Sequence, residues 1–215
     1  MALTPATMRL IIALLAVLPL PAFAHPHMFV DSRLDLTLDA DQNVTGLTLS
    51  WSYDEFSALL ILEDMGLDPD GDAQLTEAEL ARLKGFDLIE WPEGFEGDLY
   101  FYRDGVQVPL DHPQPSAIAV TDGRITASHT RSLTPTPAEG LQILQYDPTY
   151  YVAYTLSGGV HLPTPCRATL IPADPDAATQ ALAEELKKVP EDQFSILEIG
   201  VHYAEDVRIT CNAPS

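Results

Sequence analysis

The chain has 215 residues, 46% of them apolar, and sets 32 acidic residues against 11 basic ones, a formal charge of −21 with His neutral. Such a surface repels nucleic acid and anionic lipid and gathers cations through its long-range field. The apolar share is too high for a disordered acidic tail and large enough for a folded core.

In chain order, Met8 and Arg9 close a short positively charged start, and Leu10 to Leu20 follow as an apolar run. The run is shorter than the roughly 20 residues that a bilayer-spanning helix needs. Ala22-Phe23-Ala24 is a small-x-small cleavage site, so residues 1–24 are expected to be a secretory signal peptide, removed to leave His25 first. No Cys follows the run, which argues against a lipid anchor. Arg9 is the one charged residue lost, leaving ten basic residues against 32 acidic ones. No later stretch is apolar enough to span a membrane, and the processed protein is expected to be soluble and periplasmic.

Met28 to Leu38 alternates, with Met28, Val30, Leu34, Leu36 and Leu38 on one face and His27, Phe29, Asp31, Arg33, Asp35, Thr37 and Asp39 on the other. This is the pattern of a half-buried strand. Asp39 to Asn43 reads as a turn and Val44 to Trp51 as the return strand. From Tyr53 to Gly66 the period becomes helical, Phe56, Leu59, Leu60 and Glu63 lying three and four apart; a polar loop and a short helix, Glu77 to Lys84, follow. Asp104-Gly105 and Asp122-Gly123 are hairpin turns, between Asp98–Arg103 and Val106–Leu110 and between Ala117–Thr121 and Arg124–Thr130. Further strands are Leu141–Tyr146 and Tyr150–Leu156 around Asp147-Pro148, then Cys166–Ile171 and Val207–Cys211, with an amphipathic helix over Ala177–Lys188. The fold class is α+β: mainly antiparallel, sandwich-like sheet, with an inserted EF-hand-like helix–loop–helix and an amphipathic helix in the C-terminal half. Pro109 to Pro115 marks a seam between an N-terminal β-rich lobe, residues 25–112, and a C-terminal lobe, residues 113–215.

Cleavage after Ala24 exposes His25-Pro26-His27. An N-terminal His offers its free α-amine and ring Nδ1 together, and His27 projects to the same face of an extended strand, as does Asp31. Amine and imidazole donors suit zinc, copper or nickel. Square-planar binding through two deprotonated amides is excluded, because Pro26 has no N–H. Further ligands would come from His112, His129, His161 or His202.

The twelve residues Asp68 to Glu79 fit a calcium loop. Asp68, Asp70 and Asp72 stand at positions 1, 3 and 5, Gln74 gives a carbonyl at 7, Thr76 stands at 9 and Glu79 supplies the carboxylate at 12. Thr76 and Glu79 also form a capping box for the second helix. Position 6 is Ala73 where Gly is usual, and a left-handed residue with a Cβ costs roughly 1–2 kcal/mol, so weak affinity of the order of 10⁻⁴ M is expected. The two cysteines, Cys166 and Cys211, favour a disulfide in an oxidising compartment; neither has the nearby His or second Cys that a metal–thiolate site needs.

The segments His25-Pro26-His27-x-Phe29-Val30-Asp31, Trp51-Ser52-Tyr53-Asp54-Glu55-Phe56, the acidic loop and Tyr146-Asp147-Pro148-Thr149-Tyr150-Tyr151 together resemble a bacterial domain-of-unknown-function family. Its members are labelled periplasmic components of an uncharacterised ABC-type transport system, and the likeness covers nearly the whole processed chain. The resemblance implies a role beside nickel/cobalt or zinc permeases, in metal delivery or export, with His25, His27 and Asp31 as the metal end. The leading expectation is therefore a non-enzymatic periplasmic metal-binding protein that assists an inner-membrane metal permease or ABC transporter. A copper-dependent oxidative enzyme using the N-terminal His chelate and a calcium-stabilised interaction module are the alternatives. No Ser-His-Asp, zinc-protease, phosphate-loop or dinucleotide pattern is present.

Overall fold

A computed structural model describes residues 26–190 and 197–212. The expected signal peptide and His25 lie outside the described residues.

Alternation makes the first two strands. β1 (Met28–Leu38) buries Val30, Ser32, Leu34 and Leu36, and β2 (Asn43–Tyr53) buries Val44, Leu47, Leu49, Trp51 and Tyr53. Asp39 closes their turn by accepting from the Asp41 and Asn43 amides. The first helix, α1 (Glu55–Asp64), starts two residues later than the period suggests, because Tyr53 continues the inward row of β2 and Asp54 caps the helix. Asp54 accepts from the Ser57 amide at 2.9 Å. The loop and α2 (Glu77–Leu83) follow, with the capping box formed as expected from Thr76 and Glu79.

β3 (Leu99–Arg103) and β4 (Val106–Val108) turn at Asp104-Gly105, and β5 (Gln114–Thr121) and β6 (Arg124–Pro137) at Asp122-Gly123. All four turn residues have positive φ, between 51° and 76°, as tight primed turns demand. β7 (Leu141–Gln145), β8 (Val152–Thr155), the short β9 (Val160–His161) and β10 (Cys166–Ile171) come next. Helix α3 (Pro175–Leu186) and β11 (Asp206–Cys211) complete the order.

Two sheets result. One runs β5-β6-β2-β1-β8 with β9 also on β1, and the other runs β10-β11-β7-β3-β4. Each draws strands from both sides of the Pro109–Pro115 stretch. Leu34, Leu49, Ile125 and Ala127 from the first sheet belong to one buried cluster with Leu99, Phe101, Leu141, Ile143, Val207 and Ile209 from the second. The pairing is antiparallel except at β8 and β9, which run parallel to β1. Asp147-Pro148 therefore does not turn a hairpin, as its place between two strands suggests. It carries the chain from β7 in one sheet to β8 in the other.

The expected disulfide is present. Cys166 and Cys211 are direct cross-strand partners in β10 and β11, bonded across a separation of 45 residues. For a loop of that size the chain-entropy contribution is about 4 kcal/mol.

Candidate functional site

Three places carry chemistry: the start of β1, the acidic loop between α1 and α2, and a set of buried polar side chains in the interior.

At the start of β1, the chain is held by its parallel neighbour. The His27 amide donates to the Tyr151 carbonyl at 2.9 Å, the Met28 amide reaches the same oxygen at 3.3 Å, and the His27 ring lies 4.8 Å from that of Tyr151. Asp147 shapes the acceptor: it takes hydrogen bonds from the Thr149 amide, the Thr149 hydroxyl and the Val152 amide. Tyr150 stacks on Tyr203 at 4.0 Å, and Gly200 donates to the Pro148 carbonyl. A Cβ at Gly200 would sit 1.7 Å from the Asp147 carbonyl oxygen, so only glycine fits there. Asp54 holds the other flank, accepting from the Phe29 amide at 3.1 Å. Two of the sequence segments singled out above thus converge on β1 and present an exposed His27.

Asp31 lies on the same outward row, four residues or about 13 Å of strand from His27. Its carboxylate is engaged on both oxygens, by Arg124 at 2.6 Å and the Ser157 hydroxyl at 2.8 Å. The four other histidines are scattered. His161 pairs with Asp35 far along β1 and sits 2.9 Å from the Gly158 carbonyl; His112 sits 3.0 Å from the Pro113 carbonyl; His129 is buried. His202 is exposed, and its segment packs on the Tyr150 turn through Tyr203.

In the acidic loop, Asp68, Asp70 and Asp72 bring carboxylate oxygens within 4.8 Å of one another. Asp68 accepts from the Asp72 and Ala73 amides, which curls the loop, and Asp72 accepts from the Gln74 amide. Ala73 has φ of 57°, the left-handed conformation expected at position 6. Glu79 turns to the cap: its carboxylate accepts from the Thr76 amide at 2.9 Å and hydroxyl at 2.7 Å, and these bonds lower its pKa. The three aspartates suit a hard cation as they stand, and Glu79 would join them by leaving Thr76.

The buried polar side chains of the interior are not among the sites that the sequence marks. The inward row of β6 reads Ile125, Ala127, His129, Arg131, Leu133, so an imidazole and a guanidinium enter the core. Arg131 donates to the carbonyls of Glu96, Leu110 and Asp111 and lies under the Trp91 ring, clasping the segments before β3 and after β4 against the sheet. Gly97 makes room for this, since a Cβ there would strike Trp91 at 2.3 Å. Burial lowers the Arg131 pKa, with Glu96 and Asp111 opposing it. Beneath, His129 Nδ1 stands 3.7 Å from Asp87 Oδ2, too far for a hydrogen bond. The signal available in the sequence was this polar pair within an alternating strand.

Asp98, 7% exposed, accepts from the Tyr154 hydroxyl at 2.9 Å. Burial pushes its carboxyl up to about 7, against the lowering effect of the Tyr154 bond. In the unfolded chain the group ionises near 3.9. Between those values the folded state keeps a proton that the unfolded state has lost, so stability falls as pH rises from about 4 to 7 and then levels. The full effect is about 4 kcal/mol. Asp98→Asn keeps an acceptor for Tyr154 and tolerates the position's positive φ. Denaturant titrations should show the variant more stable at pH 7.5 and lacking this descent; an unchanged pH profile would mean Asp98 is ionised in the folded protein.

Known proteins bear on this arrangement. An uncharacterized protein of Haemophilus influenzae is 25% identical over 201 residues, covering 87% of this chain and 91% of that protein. No helix among the described residues is long and apolar enough to cross a membrane. Residues 10–211 match the model of the family described as "Protein of unknown function (DUF1007)", and with nearly the whole chain matched, the protein belongs to that family.

Proposed function

We propose that this is a periplasmic metal-binding accessory protein of a transition-metal transporter, holding zinc, copper or nickel at its processed N-terminus. The supporting observation is the clamp on β1: the Tyr151 carbonyl fixes the backbone of His27 while leaving its ring exposed at the outer end of a rigid sheet. Cleavage after Ala24 would add the α-amine and ring of His25 two residues away, so three nitrogen donors meet with one anchored beforehand. Preorganising one donor lowers the ordering cost of the chelate. Asp31 would have to release Arg124 and Ser157 to join, so the primary donors are His25 and His27, and the exposed His202 is the added imidazole whose segment abuts the clamp. A bound ion at this position is open to exchange with a membrane partner, which fits a carrier better than an enzyme with an enclosed substrate site.

Calorimetric titration of zinc and copper into the secreted protein should give one tight site. His25→Ala and His27→Ala should each weaken it by at least tenfold without changing thermal stability. Unaltered binding in both variants would place the ion elsewhere.

The acidic loop supports a second, structural ion. The clustered oxygens of Asp68, Asp70 and Asp72 and the left-handed Ala73 make calcium binding of weak, extracytoplasmic affinity the expected property. Millimolar calcium should raise the melting temperature, and Asp68→Asn with Asp72→Asn should erase that rise while leaving transition-metal affinity intact. Equal stabilisation of wild type and double variant would assign the effect to general charge screening.

A further inference from the structure

We propose that the outward face of α1 docks a cationic, amphipathic segment of a partner protein. The helix buries Ser57, Ala58 and Leu62, whereas Phe56, Leu59 and Leu60 are 65%, 57% and 45% exposed. The residues whose spacing marks the helix are thus the ones it turns outward. Small buried residues let the helix lie close on the sheet, and the large apolar ones gain nothing in the free protein. Phe29, 55% exposed, adjoins the patch, since its amide and carbonyl both bond to Asp54 at the helix cap. A hollow of about 360 Å³ opens beside Leu59, walled by Leu62, Gly66 and Leu67. That volume is at the low end for ligand clefts and suits one or two apolar side chains. A contiguous exposed apolar surface of this kind marks an interaction site.

Charge selects the occupant. Glu55, Glu63, Asp64 and Asp68 border the patch, and the sequence holds no Lys or Arg between Arg33 and Arg82. Arg82, on α2, donates to the Met65 carbonyl at the end of α1. A second copy would bring the same acidic border and be repelled, and so would an anionic lipid surface. A helix with large apolar residues on one face and Lys or Arg beside them complements both features. The docking face starts two residues from His27, so a partner seated there would lie beside the proposed metal, yet docking itself does not depend on metal.

The test uses the processed full-length protein and three synthetic helical peptides in 150 mM salt: Leu/Lys amphipathic, Lys/Ser of equal charge, and Leu/Glu amphipathic. Fluorescence anisotropy should show the Leu/Lys peptide binding at least tenfold tighter than either control. Phe56→Asp with Leu59→Asp adds negative charge, so attraction by charge alone would strengthen binding; docking on the apolar face predicts at least a tenfold loss. Leu60→Ser should also weaken binding, and serves if the double variant fails to fold. His27→Ala should leave peptide binding intact even where it abolishes metal binding. Equal affinity for the Lys/Ser peptide, or unchanged or tighter binding by the variants, would overturn the proposal. So would a dimer of the free protein, or vesicles of anionic phospholipid capturing it through the same residues.

Discussion

The parallel join between β1 and β8 is the constraint on which the rest depends. An antiparallel sandwich built from hairpins would leave the first strand with one neighbour and a free outer edge. Here Asp147 curls the chain after β7 so that Val152 to Thr155 lie alongside Met28 to Asp31, which carries the chain from the second sheet back to the first. Gly200 is required for this, because its backbone presses on the Asp147 carbonyl where no side chain fits. The consequence for function is positional. His27, at the start of the first strand, is held by its backbone beside Tyr151.

The interior shows how such a fold is closed at a cost. The apolar cluster between the sheets is continuous, but polar groups share the interior: Trp51 packs on His129 and Tyr154, His129 faces Asp87, Tyr154 donates to Asp98, and Gln145 is buried. Burying polar groups without partners costs of the order of 1–3 kcal/mol each. Among the described residues, Trp51 Nε1, His129 Nδ1 and both amide atoms of Gln145 have no hydrogen-bond partner. Arg131 offsets part of this by satisfying three carbonyls at once, Glu96 before β3 and Leu110 and Asp111 after β4. Stability at neutral pH thus leans on the apolar cluster and the Cys166–Cys211 bond, with Asp98 working against it.

Local chemistry was readable from the sequence, and long-range choices were not. The Asp-Gly turns, the alternation of β1, the Thr76–Glu79 capping box and the left-handed Ala73 all depend on neighbours within a few residues. The partner of Cys166 was legible because two cysteines allow one bridge. The parallel placement of β8 was hidden, since a strand's period says nothing about which strand it joins. The orientation of α1 was hidden for a related reason: periodicity identifies a helix and its stripes, but packing decides which stripe is buried, and here it is Ser57, Ala58 and Leu62. His129 read as one of several equivalent imidazoles because exposure depends on the opposing sheet. Of the N-terminal set, the row shared by His27 and Asp31 was legible, whereas Arg124, which occupies Asp31, comes from a distant hairpin.

The proposed function rests on a processed N-terminus at which the main-chain and side-chain nitrogens of His25 would act with the anchored His27. Mass spectrometry of the secreted protein, recorded under native and denaturing conditions, addresses that claim directly. The denatured mass should equal residues 25–215 with one disulfide, and the native mass should exceed it by one transition-metal ion that acetylation of the N-terminal amine removes. A chain beginning at any other residue, or an ion retained after the amine is blocked, would contradict the account.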